Sequence, residues 1–318
     1  MSSHRPADRN RSGNPGALVA PAGHAGHSGD DGDDDLRRPA PRLTVTVTPV
    51  VPGAPGIRVH VWPAGPEATR RPVLVCCHDW TESGLAFGPL AAALGRRWTV
   101  IAPDAPGHGG TRWQPAGRYR VGDHAGAVLA VLDRLPQVAE HRSDVVLLGH
   151  GMGALPAGRS AAAEPDVVRH LLLEDPARAA LRRVASATVV RAHVEARRAL
   201  GQTELVAAIR EDHPTWPVDE CEARADGLRE ASLDALSVPV DWGEPLVAVL
   251  ADVPTPVTLV HGDLARGGTV SGVAARRAAA ACRAGCETVR LEAGHHPRRE
   301  AREPFIAVLA SILGRYER

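Results

Sequence analysis

The stretch VVLLGHGMGALPAG, residues 145–158, decides how the rest of the chain is interpreted. Its first four residues are apolar and typical of a buried strand, and its second half is typical of a helix. Between them lies the turn GHGMG (149–153), which has the spacing of a G-x-S-x-G turn. Such a turn presents a serine nucleophile between a strand and a helix. Here the serine position holds Gly151, so a backbone arrangement that normally presents a side chain lacks one.

Strand and helix patterns alternate on both sides of this turn. Two runs with period-two alternation, at 43–48 and 57–62, are typical of antiparallel strands. Nearly continuous apolar runs, which suit strands covered on both faces, occur at 72–78, 98–104, 144–150, 170–176, 256–263 and 287–292. Helical patterns separate them, for example at 124–135 and 304–316. The alternation predicts an α/β fold with a mostly parallel, doubly wound sheet of about eight strands.

Composition divides the chain into four parts. Residues 1–41 are rich in Gly, Pro, Ser, Arg and His and include the run DDGDDD, so we expect a disordered tail. Residues 42–176 and 246–318 carry the strand–helix alternation and are expected to form the two parts of one core. Residues 177–245 are helical and polar and too long for one crossover. They predict a helical cap inserted over the carboxyl edge of the sheet, where open α/β sheets place their sites.

Charge and hydropathy limit the partners. The 37 arginines balance 37 acidic residues, so no net field favours nucleic acid or an anionic membrane. The chain starts without the apolar segment of a signal peptide, and no run of about 18 apolar residues follows, so we expect a cytoplasmic protein without a membrane partner. Cys282 and Cys286, four apart on a predicted helix, lack a second ligand pair. We therefore expect no metal. The glycines of the turn at 149–153 lack the G-x-G-x-x-G spacing of a dinucleotide site, so we expect no cofactor. The oligomeric state is left open.

Four segments carry a family resemblance: HDWTESG (78–84), IAPDAPGHGGT (101–111), LLGHGMGA (147–154) and LEAGHHPRRE (291–300). They are similar to the H-G-x loop after a third strand, the D-x-x-G-H-G segment after a fourth, the nucleophile elbow and the catalytic-histidine loop. Over residues 43–318 the chain resembles the α/β-hydrolase fold superfamily, and more narrowly a capped bacterial subgroup that usually carries G-H-S-M-G at the elbow. The resemblance implies hydrolysis of small esters or amides by serine, histidine and an acid.

The same resemblance assigns the site residues. His295 occupies the position of the catalytic base. Many relatives carry the acid after the seventh strand, where the expected place is alanine and Asp263 lies two residues earlier. The subgroup favours Asp175 after the sixth strand, although an aspartate before proline also suits a helix N-cap. The expected oxyanion-hole donors are the backbone N–H groups of Trp80 and Met152, and the Trp80 ring suits a core aromatic equally well.

Two departures from the family pattern bear on function. Gly151 removes the nucleophile, which costs serine hydrolases about 10⁶-fold in turnover. Asp79 replaces the glycine after His78, and its carboxylate would oppose a developing oxyanion if it faced the pocket. We expect serine-type chemistry to be impaired and a small-molecule pocket to remain under the cap. Three functions stay open: hydrolysis by water that His295 activates, a lyase or cyclase reaction with His295 as acid or base, and binding without catalysis. If the rest of the site is intact, Gly151→Ser is expected to restore esterase activity.

Overall fold

The computed structural model describes residues 42–49, 55–66, 71–113, 119–135, 144–177 and 187–317. The tail predicted at 1–41 and the stretch 178–186 of the predicted cap lie outside these ranges. Eight strands form one sheet. In chain order they are β1 (Leu43–Val47), β2 (Ile57–Trp62), β3 (Val73–Cys77), β4 (Val100–Pro103), β5 (Val145–His150), β6 (Val168–Glu174), β7 (Val257–His261) and β8 (Cys286–Arg290).

The strand order across the sheet is β1-β2-β4-β3-β5-β6-β7-β8. The pairs β1–β2 and β2–β4 are antiparallel, and all other pairs in the sheet are parallel. The predicted mostly parallel sheet of about eight strands is therefore confirmed. Because parallel strands end at the same edge, the loops that follow β3, β5, β6 and β8 meet above that edge.

Ten α-helices occur in the described ranges of the chain. They are α1 (Gly88–Leu94), α2 (His124–Asp133), α3 (Ala154–Ala163), α4 (Ala187–Arg198), α5 (Gln202–Asp212), α6 (Val218–Glu230), α7 (Leu246–Asp252), α8 (Gly272–Ala281), α9 (Pro297–Glu300) and α10 (Arg302–Gly314). No helix in these ranges combines the length and the apolarity that crossing a bilayer requires. The prediction that Cys282 and Cys286 share a helix is wrong: α8 ends before Cys282, and a turn at Gly285, with φ +88°, leads into β8.

Apolar side chains cover both faces of the sheet. In β5, Val145 and Leu147 join one buried cluster and Val146 and Leu148 join another, as the period of two in a strand requires. Side chains of α2, α3, α7 and α8 pack in the first cluster, and side chains of α1 and α10 pack in the second. The central strands are thus buried on both faces, which explains why their sequences are nearly continuous apolar runs.

Helices α4, α5 and α6 lie between β6 and β7 in the chain and bury an apolar cluster of their own, which includes Leu205, Trp216 and Leu228. Helix α6 passes very close to the loop after β3. An ideal Cβ on Gly227 would lie 3.0 Å from the Cα of Glu82, so a side chain at this point of α6 would be crowded. The division of the chain into two core parts and a cap at 177–245 stays a prediction.

Candidate active site

Glycines build the turn between β5 and α3. Gly151 has φ +53°, a left-handed conformation that glycine adopts at little cost. The outer glycines are required by close approach: an ideal Cβ on Gly153 would lie 2.3 Å from the carbonyl oxygen of Cys77, and one on Gly149 would lie 2.7 Å from the Cα of Ala154. The turn therefore keeps the backbone of a nucleophile elbow although its central side chain is missing.

The space above Gly151 is filled by Asp79, from the loop after β3. An ideal Cβ on Gly151 would lie 2.1 Å from Asp79 Oδ1 and 2.3 Å from its Cγ. Oδ1 accepts a hydrogen bond of 2.6 Å from the Met152 backbone N–H, and Oδ2 lies 3.1 Å from His295 Nε2. The Asp79 carboxylate thus occupies the volume of the missing side chain and uses one of the two N–H groups expected in an oxyanion hole.

This arrangement bears on the expectation for Gly151→Ser and on the backbone of the loop after β3. The esterase activity expected of Gly151→Ser requires the rest of the site to be intact, but the serine side chain would collide with Asp79. Asp79 also needs no glycine-like backbone, because Thr81 and Asp175 are the only non-glycine residues with positive φ in the ranges described. The Trp80 ring contacts the Tyr119 ring edge-on, at 4.9 Å between centroids, and also lines a cavity.

The histidine loop brings His295 to Asp175. His295 Nδ1 lies 2.7 Å from Asp175 Oδ2, and Asp175 is fully buried at the end of β6. Thr269 orients the same carboxylate oxygen with its backbone N–H, at 2.8 Å, and its hydroxyl, at 3.0 Å. Asp263 instead pairs with Arg290 at the surface, at 2.6 Å. Geometry therefore favours Asp175 over Asp263 as the acid partner of His295.

His295 lies between two carboxylates. Burial disfavours its charged form, but the hydrogen bonds and charges of Asp175 and Asp79 outweigh burial and raise the pKa of His295 to about 10. Burial likewise opposes ionisation of Asp79, yet the hydrogen bond and charge of His295 lower the Asp79 pKa well below its usual range. At neutral pH the site is an imidazolium held by two carboxylates. An imidazolium can donate a proton but has no lone pair with which to accept one.

A buried ionic network, which the sequence did not predict, lies beside the cluster of Asp79, His295 and Asp175. Arg298 contacts Glu174 at 2.8 Å and Glu82 at 3.3 Å, and Arg299 contacts Glu82 at 2.7 Å and Glu220 at 2.9 Å. All five side chains are at most 1% exposed. The network joins the histidine loop, the end of β6, the loop after β3 and helix α6. Glu82, Arg298 and Arg299 stand within the quoted motifs, but only their burial distinguishes them from surface charges.

Two sets of side chains are close enough to surround a metal ion: Asp79, His150 and His295, and Glu82, His150 and His296. Both sets lie beside positive charge. Glu82 is already paired with two arginines, and His295 is protonated at neutral pH. A cation at the first set would have to displace the proton of His295, and one at the second set would lie close to Arg298 and Arg299. The expectation of no metal and no cofactor stays a prediction.

A cavity of about 370 Å³ lies above Asp79 and His295. Its lining side chains come from the loop after β3, the histidine loop and helices α4 and α6: Asp79, Trp80, Thr81, Glu82, Val189, Val190, His193, Val194, Arg224, His295 and His296. A volume of this size accommodates a small organic molecule. The reactive groups of the site are therefore accessible from a ligand-sized space.

Comparison with known proteins matches the sequence profile of the alpha/beta hydrolase family to residues 73–308. The chain is 27% identical over 207 residues to 2-(acetamidomethylene)succinate hydrolase of Mesorhizobium japonicum, covering 62% of this chain and 72% of that protein. It is 35% identical over 121 residues to lipase LipV of Mycobacterium tuberculosis, covering 38% and 42%.

Solved structures agree with the fold. The crystal structure of E-2-(acetamidomethylene)succinate hydrolase superposes with a TM-score of 0.65 at 22% identity, covering 85% of this chain and 98% of that one. An N-formylmaleamic acid deformylase from Pseudomonas putida S16 superposes with a TM-score of 0.63 at 20% identity, covering 85% and 100%. At these identities the structural likeness supports the fold alone. The family profile covers well over half of the sequence, so the chain belongs to the alpha/beta hydrolase family.

Proposed function

We propose that the protein binds a small molecule in the cavity above His295 and has lost serine-type hydrolysis of esters and amides. The observation that carries this proposal is the position of Asp79, whose carboxylate bridges the Met152 N–H and His295 in the space of the missing serine side chain. Acyl transfer needs a nucleophile, a base and an oxyanion hole. Asp79 interferes with the last two, and Gly151 removes the first.

The oxyanion hole is blocked electrostatically as well as sterically. An acyl oxygen that approached the Met152 N–H would have to displace a carboxylate held at 2.6 Å. If the carboxylate stayed nearby, its negative charge would oppose the charge that develops on that oxygen. Donors in an oxyanion hole contribute roughly 2.7–4 kcal/mol each to transition-state stabilisation. Occupation of this donor by Asp79 removes such a contribution even before the missing nucleophile is considered.

Hydrolysis by water that His295 activates is also disfavoured. With its pKa raised to about 10 by two carboxylates that outweigh its burial, His295 is protonated at neutral pH and cannot take a proton from water. The same protonation favours a second candidate function, a non-hydrolytic lyase or cyclase reaction in which His295 acts as general acid. His295 and Asp79 both line the cavity, so a bound molecule is within reach of the acid.

The proposal is tested with a fluorophosphonate probe, which labels activated serines, and with p-nitrophenyl acetate and butyrate. The wild-type protein is expected to remain unlabelled and to hydrolyse neither ester above the rate in buffer. The variant that carries both Gly151→Ser and Asp79→Gly serves as the matched positive control, because it restores the nucleophile and frees the Met152 N–H. Labelling of the wild-type protein at any residue of the cavity, or ester hydrolysis that His295→Ala abolishes, would contradict the proposal.

A further inference from the structure

Arg224, on helix α6, lines the cavity above His295. Its guanidinium donates hydrogen bonds to the carbonyl oxygen of Thr81, at 2.8 Å, and to the Thr81 hydroxyl, at 2.9 Å. Both acceptors are neutral. The remaining N–H groups of this guanidinium have no acceptor, and no carboxylate forms an ion pair with it, among the residues that the structure describes. Arg224 therefore brings a positive charge and unused donors to a ligand-sized cavity.

The neighbouring carboxylates do not supply the missing partner. Glu82 is the acidic group with the largest electrostatic effect on Arg224, but its oxygens contact Arg298 and Arg299. Burial, opposed by Glu82 and reinforced by Arg299, lowers the pKa of Arg224. Arg298 and Arg299 each have two carboxylate partners, whereas the partners of Arg224 within the described ranges are neutral. A ligand carboxylate would provide Arg224 with a direct counter-ion.

Thr81 holds the guanidinium in place at a conformational cost. Its φ of +59° is rare for a β-branched residue, and such strain persists only where surrounding contacts enforce it. This conformation directs both the carbonyl group and the hydroxyl group of Thr81 at one guanidinium. The Thr81 backbone N–H also donates to His108 Nε2, at 3.3 Å. Arg224 is thus fixed before any ligand arrives, which reduces the entropy lost on binding.

One part of the cavity wall suits an apolar group. Trp80, Val190 and Val194 line it, and Val194 is fully buried. The cavity therefore combines the Arg224 guanidinium with an apolar patch, whereas the His295 cation in the same wall is already paired with Asp79 and Asp175. A ligand that matches both features has an anionic head and an apolar body. A single planar guanidinium fits the two oxygens of a carboxylate, and a doubly charged phosphate would be repelled by Asp79 in the same cavity.

We propose that Arg224 binds the carboxylate of a small organic acid whose apolar part lies against Trp80, Val190 and Val194. The inference rests on the proposed function, because it takes the cavity as the ligand site. It adds the chemical class of the ligand and the residue that recognises it. The competing explanation is that Arg224 only fixes the loop at Thr81 and binds no ligand.

The first experiment uses the wild-type protein and two matched pairs of probes: phenylacetate with phenylacetamide, and hexanoate with hexanamide. Binding is measured by ligand-observed NMR and by calorimetry at neutral pH. At least one acid is expected to bind, with its amide about tenfold weaker or more, because charge-assisted hydrogen bonds to arginine are stronger than neutral ones. The inference is overturned if neither acid binds, or if the amides bind as tightly as the acids.

The second experiment tests Arg224 itself. Arg224→Gln is expected to weaken binding of the acid about tenfold or more and to leave the amide unchanged, with Arg224→Lys intermediate. The matched control is Arg229→Gln on the same helix, where the native arginine also donates to neutral acceptors, Gln202 Oε1 at 2.6 Å and the Leu200 carbonyl at 2.7 Å. This control is expected to bind the acid like the wild type. Thermal unfolding of every variant is measured alongside binding.

The outcomes separate the two explanations. If Arg224→Gln lowers the melting temperature but preserves the ratio between acid and amide affinity, Arg224 is only a structural clamp and the inference is wrong. If Arg224→Gln does not fold, Arg224→Lys and the comparison of acid with amide on the wild type decide the question. Labelling by the fluorophosphonate probe tests the proposed function separately. A labelled protein that still prefers acids would refute the loss of hydrolysis and leave the role of Arg224 standing.

Discussion

A serine at position 151 is predicted to be tolerated only when Asp79 is removed with it. In Gly151→Ser alone, the new Cβ would lie 2.1 Å from Asp79 Oδ1, so the carboxylate must leave Met152 and His295. Charge-assisted hydrogen bonds contribute roughly 1.5–3 kcal/mol each. A side chain at φ +53° adds about 1–3 kcal/mol of strain. The single variant should lose on the order of 4–9 kcal/mol of unfolding free energy, an upper bound because the displaced carboxylate regains water.

The four proteins of the double-mutant cycle should be strongly non-additive. Asp79→Gly alone also loses both hydrogen bonds and leaves His295 Nε2 without its carboxylate. The double variant loses those hydrogen bonds once, avoids the collision, and places a hydroxyl beside His295. The coupling free energy should therefore be about 3 kcal/mol or more in favour of the double variant. Urea denaturation of all four proteins, monitored by circular dichroism, measures this coupling.

The esterase activity of the same four proteins should show the same dependence on both positions. Only the double variant of Gly151→Ser with Asp79→Gly is expected to react with the fluorophosphonate probe and to hydrolyse p-nitrophenyl esters, at a rate about 10³-fold or more above wild type. Removing Asp79 also removes one of the two carboxylates that keep His295 protonated, so the histidine can accept the proton of the serine. A further His295→Ala change should abolish the activity.

One result would refute this reasoning directly. If Gly151→Ser alone were as stable as the double variant and were labelled as fast, Asp79 would not occupy the space above residue 151. A double variant that folds but stays silent would show instead that the other parts of the site no longer support acyl transfer.

Three further predictions concern charge. Nitrogen-15 NMR should find His295 protonated until the pH nears 10, and Asp79→Asn should lower that pKa. Because the pKa of His295 is higher in the folded than in the unfolded protein, its protonation stabilises the fold. This stabilisation is full below about pH 6.5 and is lost as the pH rises through about 10. Asp175→Asn should cost about 2–3 kcal/mol of unfolding free energy in urea, whereas Asp263→Asn, at the surface, should cost clearly less; equal losses would contradict the assignment of the acid partner. Arg298→Met leaves the buried carboxylate of Glu174 without its arginine and Glu82 with Arg299 alone. It should cost roughly 3–5 kcal/mol by the same measurement, and a neutral result would show that the network relaxes or takes up water.

The sheet was predictable because its information is local. The apolar runs that became β3 to β7 are short and covered on both faces, and the glycines of the turn at 149–153 mark a place where only a small residue fits. The run at 287–292 was not covered in this way: it became β8, an edge strand whose side chains are partly or fully exposed. The error at Cys282 and Cys286 has a local cause as well. Two cysteines four apart suit one helix face, but the left-handed turn at Gly285 separates them.

The pairing of His295 with Asp175 could be anticipated only through the family motifs. Spacing along the chain does not say that residues 120 positions apart share a hydrogen bond. The parallel sheet brings them together, because β6 and β8 both end at the same edge. The burial of Arg298 and Arg299, in contrast, could not be anticipated from any motif. Their sequence, directly after the histidine loop, looks like an exposed helix start, and packing against three glutamates decided that they are buried.

The sequence alone establishes that the serine is missing and that an aspartate stands at position 79, since both are substitutions within a local motif. It also determined the strands and the turn, which depend on periodicity and backbone freedom over a few residues. The direction of the Asp79 carboxylate, in contrast, is set by tertiary contacts. That direction depends on the vacancy above Gly151, the Met152 N–H and the charge of His295, which come from two other loops. The position of this side chain depends on contacts between residues that are distant in sequence, and a local sequence pattern does not predict such contacts.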